Sequence, residues 1–167
     1  MLTMDAARTQ FRGVIVRRVT TFLALGCACL TAPLATARVA QAEVFIAINK
    51  SAQAMTVVVN GREQYRWPVS TGRDGGPPSG SFRPDRLERE WYSSRYDGSP
   101  MPHSIFFFKG YAIHGTYYLS RLGQPASHGC VRLHPAHAAT LFALVRAAGM
   151  NNTSIVVSES RIVATRQ

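Results

Sequence analysis

Cysteine is scarce in this sequence, with only three residues in a chain of 167. Cys27 and Cys29 lie near the N-terminus, and Cys130 stands alone in the remainder. So few cysteines exclude a disulfide-rich framework. A lone thiol is a chemical liability in an oxidising compartment unless it has a function, which makes Cys130 a candidate reactive residue.

Acidic residues are also few: 9 Asp and Glu stand against 19 Lys and Arg, which gives a net charge of +10. A strongly basic chain fits a polyanionic partner such as nucleic acid. The basic residues are scattered singly and form no cluster, which argues against nucleic-acid binding. Two interpretations stay open: an anionic polymer or acidic peptide as substrate, and a charge that serves solubility alone.

The sequence lacks an apolar run that would cross a bilayer comfortably, since about 20 residues are needed. Its N-terminal run, Thr21–Ala35, follows four arginines and precedes the small residues of Ala40-Gln41-Ala42. This order is typical of a secretory signal. We expect residues 1–42 to be a signal peptide, removed before Glu43, and the protein to act in the periplasm or cell envelope without stable membrane insertion. An uncleaved membrane anchor is the alternative.

The rest of the chain is patterned mostly for β-structure. Short runs rich in β-branched and aromatic residues predict strands, and Asn60-Gly61 predicts a hairpin turn. The Gly- and Pro-rich segment Thr71–Ser81 predicts a loop, and Phe82–Tyr92 an extended segment. The predicted strands are Val44–Ile48, Ala54–Val59, Arg62–Ser70, His103–Phe108, Tyr111–Ile113 and Ser154–Val157.

One helix is predicted near the C-terminus. Pro135 suits a first helical position and Gly149 a C-terminal cap. Between them an apolar stripe recurs at helical spacing: Ala138, Leu141, Phe142, Val145 and Ala148. We therefore predict a mainly β fold, a small barrel or sandwich with one packed α-helix, as a single domain over residues 43–160 followed by a tail, 161–167.

Residues 113–133 carry the groups needed for amide chemistry by a thiol. Cys130 supplies a nucleophile, and a nearby histidine is expected to lower the thiol pKa and populate the thiolate. His114 ends a predicted strand and is followed by Gly115, so it lies at a rim. The backbone N–H groups of Gly129 and Cys130 are candidate oxyanion donors. The alternative is that Cys130 is a small core residue.

These residues resemble the signature of the L,D-transpeptidase catalytic domain family. The match lies in His114-Gly115-Thr116 and, after a spacer, in the run from Ser127 to Leu133, SHGCVRL. Ser70-Thr71-Gly72 and the Pro78–Phe82 stretch resemble a second family segment, with Pro78-Ser79 where Thr-Pro-Thr is more usual. The family has Tyr or Trp most often where His103 stands, so no family role is assigned to His103.

The resemblance implies that Cys130 attacks the amide between an L- and a D-centre in a wall tetrapeptide stem. It implies His114 as general base and the Gly115 carbonyl as the group that orients its ring. Gly129 belongs to the implied oxyanion site. The resemblance also implies that Arg132 helps to shape the pocket or meets a substrate carboxylate and that His128 supports the site. Ser127, Thr116 and Tyr117 are further candidates for substrate contact; Tyr117 follows the base on a predicted loop, where exposed packing is the alternative.

Several alternatives stay open from the sequence. The thioester can pass to an amine, which cross-links stems or attaches a protein to the wall, or to water, which makes the protein a carboxypeptidase or endopeptidase. A non-catalytic wall-binding module is the alternative from another class. His134 and His137 lie near the helix start, but their spacing matches no common zinc pattern, so we expect no metal and no cofactor.

Overall fold

The computed structural model describes residues 42–160. The predicted signal peptide, apart from Ala42, and the predicted tail lie outside the described residues. No helix within residues 42–160 is long and apolar enough to cross a membrane. The strands are, in chain order, β1 (Val44–Asn49), β2 (Ala54–Val59), β3 (Arg62–Pro68), β4 (Gly80–Phe82), β5 (Arg86–Glu88), β6 (Ser104–Phe108), β7 (Tyr111–Gly115), β8 (Val131–Leu133) and β9 (Thr153–Ser158).

The first sheet has the order β3-β2-β1-β9-β4. Its centre is β1, which pairs antiparallel with β2 and parallel with β9 along its whole length. The β2–β3 hairpin turns at Asn60-Gly61 as predicted, and both turn residues have a positive φ. Because β1 is hydrogen-bonded on both sides and its apolar side chains are largely buried, it anchors the fold.

The second sheet has the order β5-β6-β7-β8. The β6–β7 hairpin turns at Lys109-Gly110, and β8 adds to β7 in parallel. Side chains from both sheets enter one core, including the fully buried Ile46, Ile113 and Ile155. The arrangement is sandwich-like, with two sheets and no closed barrel, so the predicted mainly β fold class is confirmed.

The α-helix, α1, spans Pro135–Ala148 and packs mainly against β7. Its N-terminus is capped by His134, whose Nδ1 accepts a hydrogen bond from the Ala136 N–H at 3.2 Å. Gly149 follows with a φ of 84°. The five predicted apolar residues are the ones that α1 buries, so the helix and its inward face are confirmed. Two short 3-10 helices, Leu119–Arg121 and Met150–Asn152, complete the fold.

Some predicted strand limits were wrong. The strand predicted to Ser70 ends at Pro68, which lacks the N–H that a further ladder bond would need. Gly80 and Ser81 were predicted in a loop but begin β4, which pairs with β9. Strand β8 was missed because three residues are too few to form a pattern.

Candidate functional site

A cleft with a volume of about 730 Å³ opens on the second sheet. Strands β6, β7 and β8 contribute its floor, and residues 91–101 and 116–128 contribute its walls. Seven of the residues singled out from the sequence line it: His114, Thr116, Tyr117, Ser127, His128, Cys130 and Arg132. Gly115 and Gly129 act on the cleft through their backbone, as described below.

The parallel register of β7 and β8 brings the reactive side chains together. Ile113 lies beside Val131, and His114 beside Arg132. Neighbouring residues in a strand point to opposite faces. Ile113 and Val131 are fully buried in the core, so His114 and Arg132 point to the other face, which forms the cleft. Cys130 comes directly before Val131 and lines the same cleft.

His114 is buried, with 5% of its surface exposed. Its Nδ1 lies 2.8 Å from the carbonyl oxygen of Gly115. A carbonyl can only accept a hydrogen bond, so Nδ1 carries the proton and Nε2 is left as an acceptor. Burial lowers the pKa of His114 to about 4; the Gly115 hydrogen bond opposes this shift, and the charge of Arg132 adds to it. His114 is therefore neutral at pH 7.

The Cys130 thiol is half-buried beside a small apolar cluster of Met101, Phe106 and Ala112. Burial raises the pKa of Cys130, whereas a backbone hydrogen bond from Ala112 and the charge of Arg132 lower it. The effect of burial is the largest, so the pKa of Cys130 is raised overall. This corrects the expectation of a thiolate stabilised by histidine, because a neutral His114 supplies no positive charge. The resting pair is a thiol and a neutral imidazole.

The turn before Cys130 is closed by a serine. Ser127 is buried, and its Oγ donates to the carbonyl oxygen of Cys130 at 2.6 Å. The Gly129 N–H in turn donates to Ser127 Oγ at 2.9 Å. The expectation that the Gly129 N–H faces an oxyanion does not fit this arrangement, since the group already has an acceptor. The two hydrogen bonds of the buried Ser127 hydroxyl stabilise the turn.

Gly129 has no side chain, which lets neighbouring residues pack closely against its backbone. Its φ is +138°, and a Cβ at this position would lie 2.7 Å from Cε1 of Tyr111. The backbone of Gly72 and Gly76 packs against it from the loop that follows β3. That loop is tied to the turn by hydrogen bonds from the N–H of Arg73 to the Ser127 carbonyl and from the N–H of Ser127 to the Thr71 carbonyl.

A buried lysine supports this loop. The side chain of Lys50 is 8% exposed, and its Nζ donates to the carbonyl oxygens of Gly75 at 2.7 Å and Pro77 at 3.1 Å. It also pairs with Glu159 at 2.5 Å. This role is not apparent from the sequence, because Lys50 directly follows an apolar strand and resembles an ordinary polar strand end.

His128 lies on the cleft wall, exposed, in a stack of side chains. Its ring is stacked on Tyr96 with centroids 4.4 Å apart. The Nη2 of Arg73 lies 3.2 Å from His128 Nε2 and donates to it. Arg73 and Tyr96 were not singled out from the sequence; only the position of Arg73 directly after Ser70-Thr71-Gly72 pointed to the site.

The remaining sequence candidates lie at the rim or outside the cleft. Thr116 is buried, and its Oγ1 accepts a hydrogen bond from the Tyr118 N–H at 3.2 Å. Tyr117 is 67% exposed at the cleft edge. His103 does not line the cleft; its ring lies edge-on to Phe142, and its φ is +56°.

The two histidines at the helix start have structural partners. His137 stacks on Trp67 with centroids 4.8 Å apart, and the His134 ring lies 5.2 Å from that of His137. Within residues 42–160, no three His, Cys, Asp or Glu side chains are grouped so as to hold a metal ion.

The family model of the L,D-transpeptidase catalytic domain, YkuD, matches residues 43–157. No curated protein sequence matches the chain. Among solved structures, the chain is similar to an L,D-transpeptidase from Mycobacterium smegmatis, with 26% identity and a TM-score of 0.62 over 70% of this chain and 59% of that chain.

Two further solved structures are similar. The L,D-transpeptidase LdtMt1 in complex with imipenem has 27% identity and a TM-score of 0.60, over 70% of this chain and 59% of that chain. An L,D-transpeptidase from Mycobacterium tuberculosis H37Rv shares the fold, with 23% identity and a TM-score of 0.63, over 71% of this chain and 58% of that chain. The chain thus spans less than two thirds of the length of these solved chains.

Proposed function

The chain belongs to the family of L,D-transpeptidase catalytic domains, and we propose that it acts on peptidoglycan stem peptides through a thioester on Cys130. The observation that carries this proposal is the β7–β8 register, which places Cys130, His114 and Arg132 on one face at the floor of one cleft. A thiol beside a neutral imidazole of fixed tautomer can attack an amide carbonyl.

Acylation begins from the neutral pair. The Cys130 sulfur attacks the carbonyl carbon of the amide between the L- and D-centres, and the thiol proton passes to Nε2 of His114. The Gly115 carbonyl holds the opposite N–H and favours the imidazolium that forms. The Cys130 N–H is the proposed donor to the oxyanion, since the Gly129 N–H is bonded to Ser127.

The tetrahedral intermediate then collapses. The C–N bond breaks, and the leaving D-residue takes its amine proton from His114, which leaves a thioester. In the second half-reaction, an acceptor amine attacks the thioester carbonyl and gives its proton to His114. The C–S bond breaks, and the thiolate regains that proton. Atoms and charges balance with no cofactor.

Side chains around the reacting atoms bind the stem. Arg132 is half-buried beside Cys130, with Nη1 donating to the Ala126 carbonyl at 3.4 Å, so its guanidinium is held at the cleft floor. Thr116 and Tyr117 form the rim next to His114, and His128 and Ser127 shape the wall next to Cys130. An aromatic rim beside a basic floor suits a peptide that carries carboxylates.

The proposed enzyme works outside the cytoplasm, in the periplasm or cell envelope, after removal of residues 1–42. The cell wall that carries its stem-peptide substrate lies there, and the basic, apolar and small-residue order of the N-terminus is typical of an exported protein. Its partners are stem peptides and, if it attaches proteins to the wall, a wall-linked protein. N-terminal sequencing of the exported form is expected to begin at Glu43.

The test uses a defined tetrapeptide stem and a second stem with a free side-chain amine, incubated with the purified protein. Products are separated by chromatography and identified by mass. Release of the terminal D-residue with a new amide supports transpeptidation, and release without a new amide makes the protein a carboxypeptidase. If the folded protein releases no D-residue, both enzymatic activities are contradicted, and a non-catalytic wall-binding module is the remaining interpretation. The Cys130→Ser variant, checked by circular dichroism, is the control.

A further inference from the structure

The charged residues that line the cleft are all cations. None of the described residues that line it is an Asp or Glu. When all charged side chains that line a concave site have the same sign, their electric field is concentrated there and attracts ligands of the opposite charge. The cations that line it are Arg73, Arg86, Arg95, Lys109, Arg121 and Arg132.

Two of these cations, Arg73 and Arg132, contact the same short stretch of the cleft wall, since Arg73 bonds to His128 and Arg132 to Ala126, two residues earlier. The charge of Arg73 lowers the pKa of Arg132, after the larger effect of burial. Like charges at short range, one of them half-buried, are unfavourable unless an anion lies between them. Such a pair in a substrate cleft has the electrostatics of an anion subsite.

Both guanidinium groups donate to acceptors that are not carboxylates. Arg73 donates to the ring nitrogen of His128 and Arg132 to the carbonyl oxygen of Ala126. Within residues 42–160, the ion pairs join Lys50 to Glu159, Arg66 to Glu63 and Arg86 to Glu88, and neither Arg73 nor Arg132 takes part in one. These hydrogen bonds orient both side chains, and no carboxylate among the described residues pairs with either charge.

Arg73 is positioned by a stack. His128 receives its hydrogen bond and is itself stacked on Tyr96, with ring planes inclined by only 14°. Arg95 lies over the other ring of this stack, 5.7 Å from the Tyr96 centroid. Ordering a long side chain before the ligand arrives reduces the entropy lost on binding. His128 is thus a positioning residue for Arg73.

We propose that Arg73 and Arg132 form a carboxylate subsite beside Cys130, which selects stem peptides whose side-chain or α-carboxylates are free over stems in which these are amidated. This inference rests on the proposed function and adds its substrate class. A guanidinium binds a carboxylate with two charge-assisted hydrogen bonds. A carboxamide is uncharged and turns an NH2 group toward the guanidinium donors, so the charge-assisted hydrogen bonds are lost.

The test measures binding, so that it does not depend on turnover. Isothermal titration of the Cys130→Ser protein uses a tetrapeptide with free carboxylates and two versions, amidated at the second residue or at the side chain of the third. We expect one amidation to weaken binding about tenfold to hundredfold, the effect of losing a charge-assisted hydrogen bond. The version that loses affinity identifies which carboxylate the subsite holds.

Substitutions of Arg73 test whether this residue causes the difference in affinity between free and amidated stems. Arg73→Gln in the same background is expected to remove most of the difference between free and amidated stems, and Arg73→Lys to restore part of it. Arg62→Gln, which removes an equal charge from β3 outside the cleft, is expected to keep the full difference. A merely structural role of Arg73 would weaken both ligands equally.

Equal affinity for all three peptides, or a difference that survives Arg73→Gln, overturns this inference. Neither result touches the proposed function, which is judged by turnover of the unsubstituted protein. If the unsubstituted protein released no D-residue but the Cys130→Ser protein still bound free stems more tightly than amidated stems, the proposed enzymatic activity would be wrong and the carboxylate subsite would stand.

Discussion

Gly72 and Gly129 pack backbone against backbone, so that a Cβ on Gly72 would lie 2.8 Å from the Cα of Gly129 and 2.9 Å from the carbonyl oxygen of Gly76. The loop after β3 is therefore the back wall of the turn that carries Cys130. Neither atom belongs to a flexible side chain, so the contact cannot relax without moving one of the two segments.

Gly72→Ala is expected to reduce acyl transfer strongly and to lower the free energy of unfolding by about 2 kcal/mol, as overpacking does. The cause is displacement of the Gly129–Cys130 backbone. The control is Gly61→Ala in the β2–β3 turn, where a Cβ meets nothing within 4 Å and only the positive φ is strained. It is expected to cost about 1 kcal/mol and leave turnover unchanged. Normal turnover by Gly72→Ala would contradict this account.

Lys50→Met is expected to destabilise the protein by about 2 kcal/mol, because two carbonyl oxygens lose a charged donor while the apolar stem is kept. Glu159→Gln is the matched control: Glu159 is 69% exposed, and an ion pair with so exposed a partner contributes little, under about 1 kcal/mol. Chemical denaturation of both variants measures the difference. Equal losses would assign the stability to the ion pair and not to the loop carbonyls.

Acid is expected to destabilise the fold through His114. Its pKa is about 4 in the folded protein, against 6.5 for an ordinary histidine, so the unfolded chain takes up the proton first as the pH falls. The free energy of unfolding therefore decreases between pH 6.5 and pH 4 by at most about 3 kcal/mol, and this group adds no further loss below pH 4. His114→Gln is expected to flatten this dependence, whereas the exposed His128→Gln keeps it. Parallel curves for the parent and His114→Gln would show that His114 is not buried in this way.

Alkylation of Cys130 is expected to be slow at pH 7 and to rise beyond the usual thiol midpoint of about 8.5, because burial raises the pKa of Cys130 and only the thiolate reacts. Arg132→Gln removes a charge that favours the thiolate and is expected to shift the profile to still higher pH. His114→Ala removes a neutral ring, so it shifts the profile little while acyl transfer is lost. A midpoint near pH 6 would instead indicate a preformed ion pair.

The sequence predicted the fold class and its helix because their signals are local. The Asn60-Gly61 turn and the apolar stripe of α1 are read from neighbouring residues, and both are confirmed. The parallel pairing of β1 with β9 and of β7 with β8 was not predicted, since it joins distant segments and leaves no local pattern. Strand β8 is too short for periodicity to identify.

The candidate site was only partly accessible from the sequence. His114, Cys130 and Arg132 lie in one motif, so their grouping in the cleft was expected. Lys50 and Tyr96 reach the site from loops far along the chain, and nothing in their local sequence indicates it, whereas Arg73 was indicated only by its position after Ser70-Thr71-Gly72. The bond that occupies the Gly129 N–H depends on a rotamer of Ser127, which no sequence pattern specifies.

The central claim, that Cys130 carries the acyl group, is tested most directly by mass spectrometry of the intact protein. The protein is incubated with a tetrapeptide stem in the absence of an amine acceptor and quenched in acid, and the modified residue is located by peptide mapping. We predict a mass increase equal to the stem without its terminal D-residue, located on Cys130 and absent from Cys130→Ser. An acyl group on another residue, or D-residue release by Cys130→Ser at the parent rate, would contradict the account.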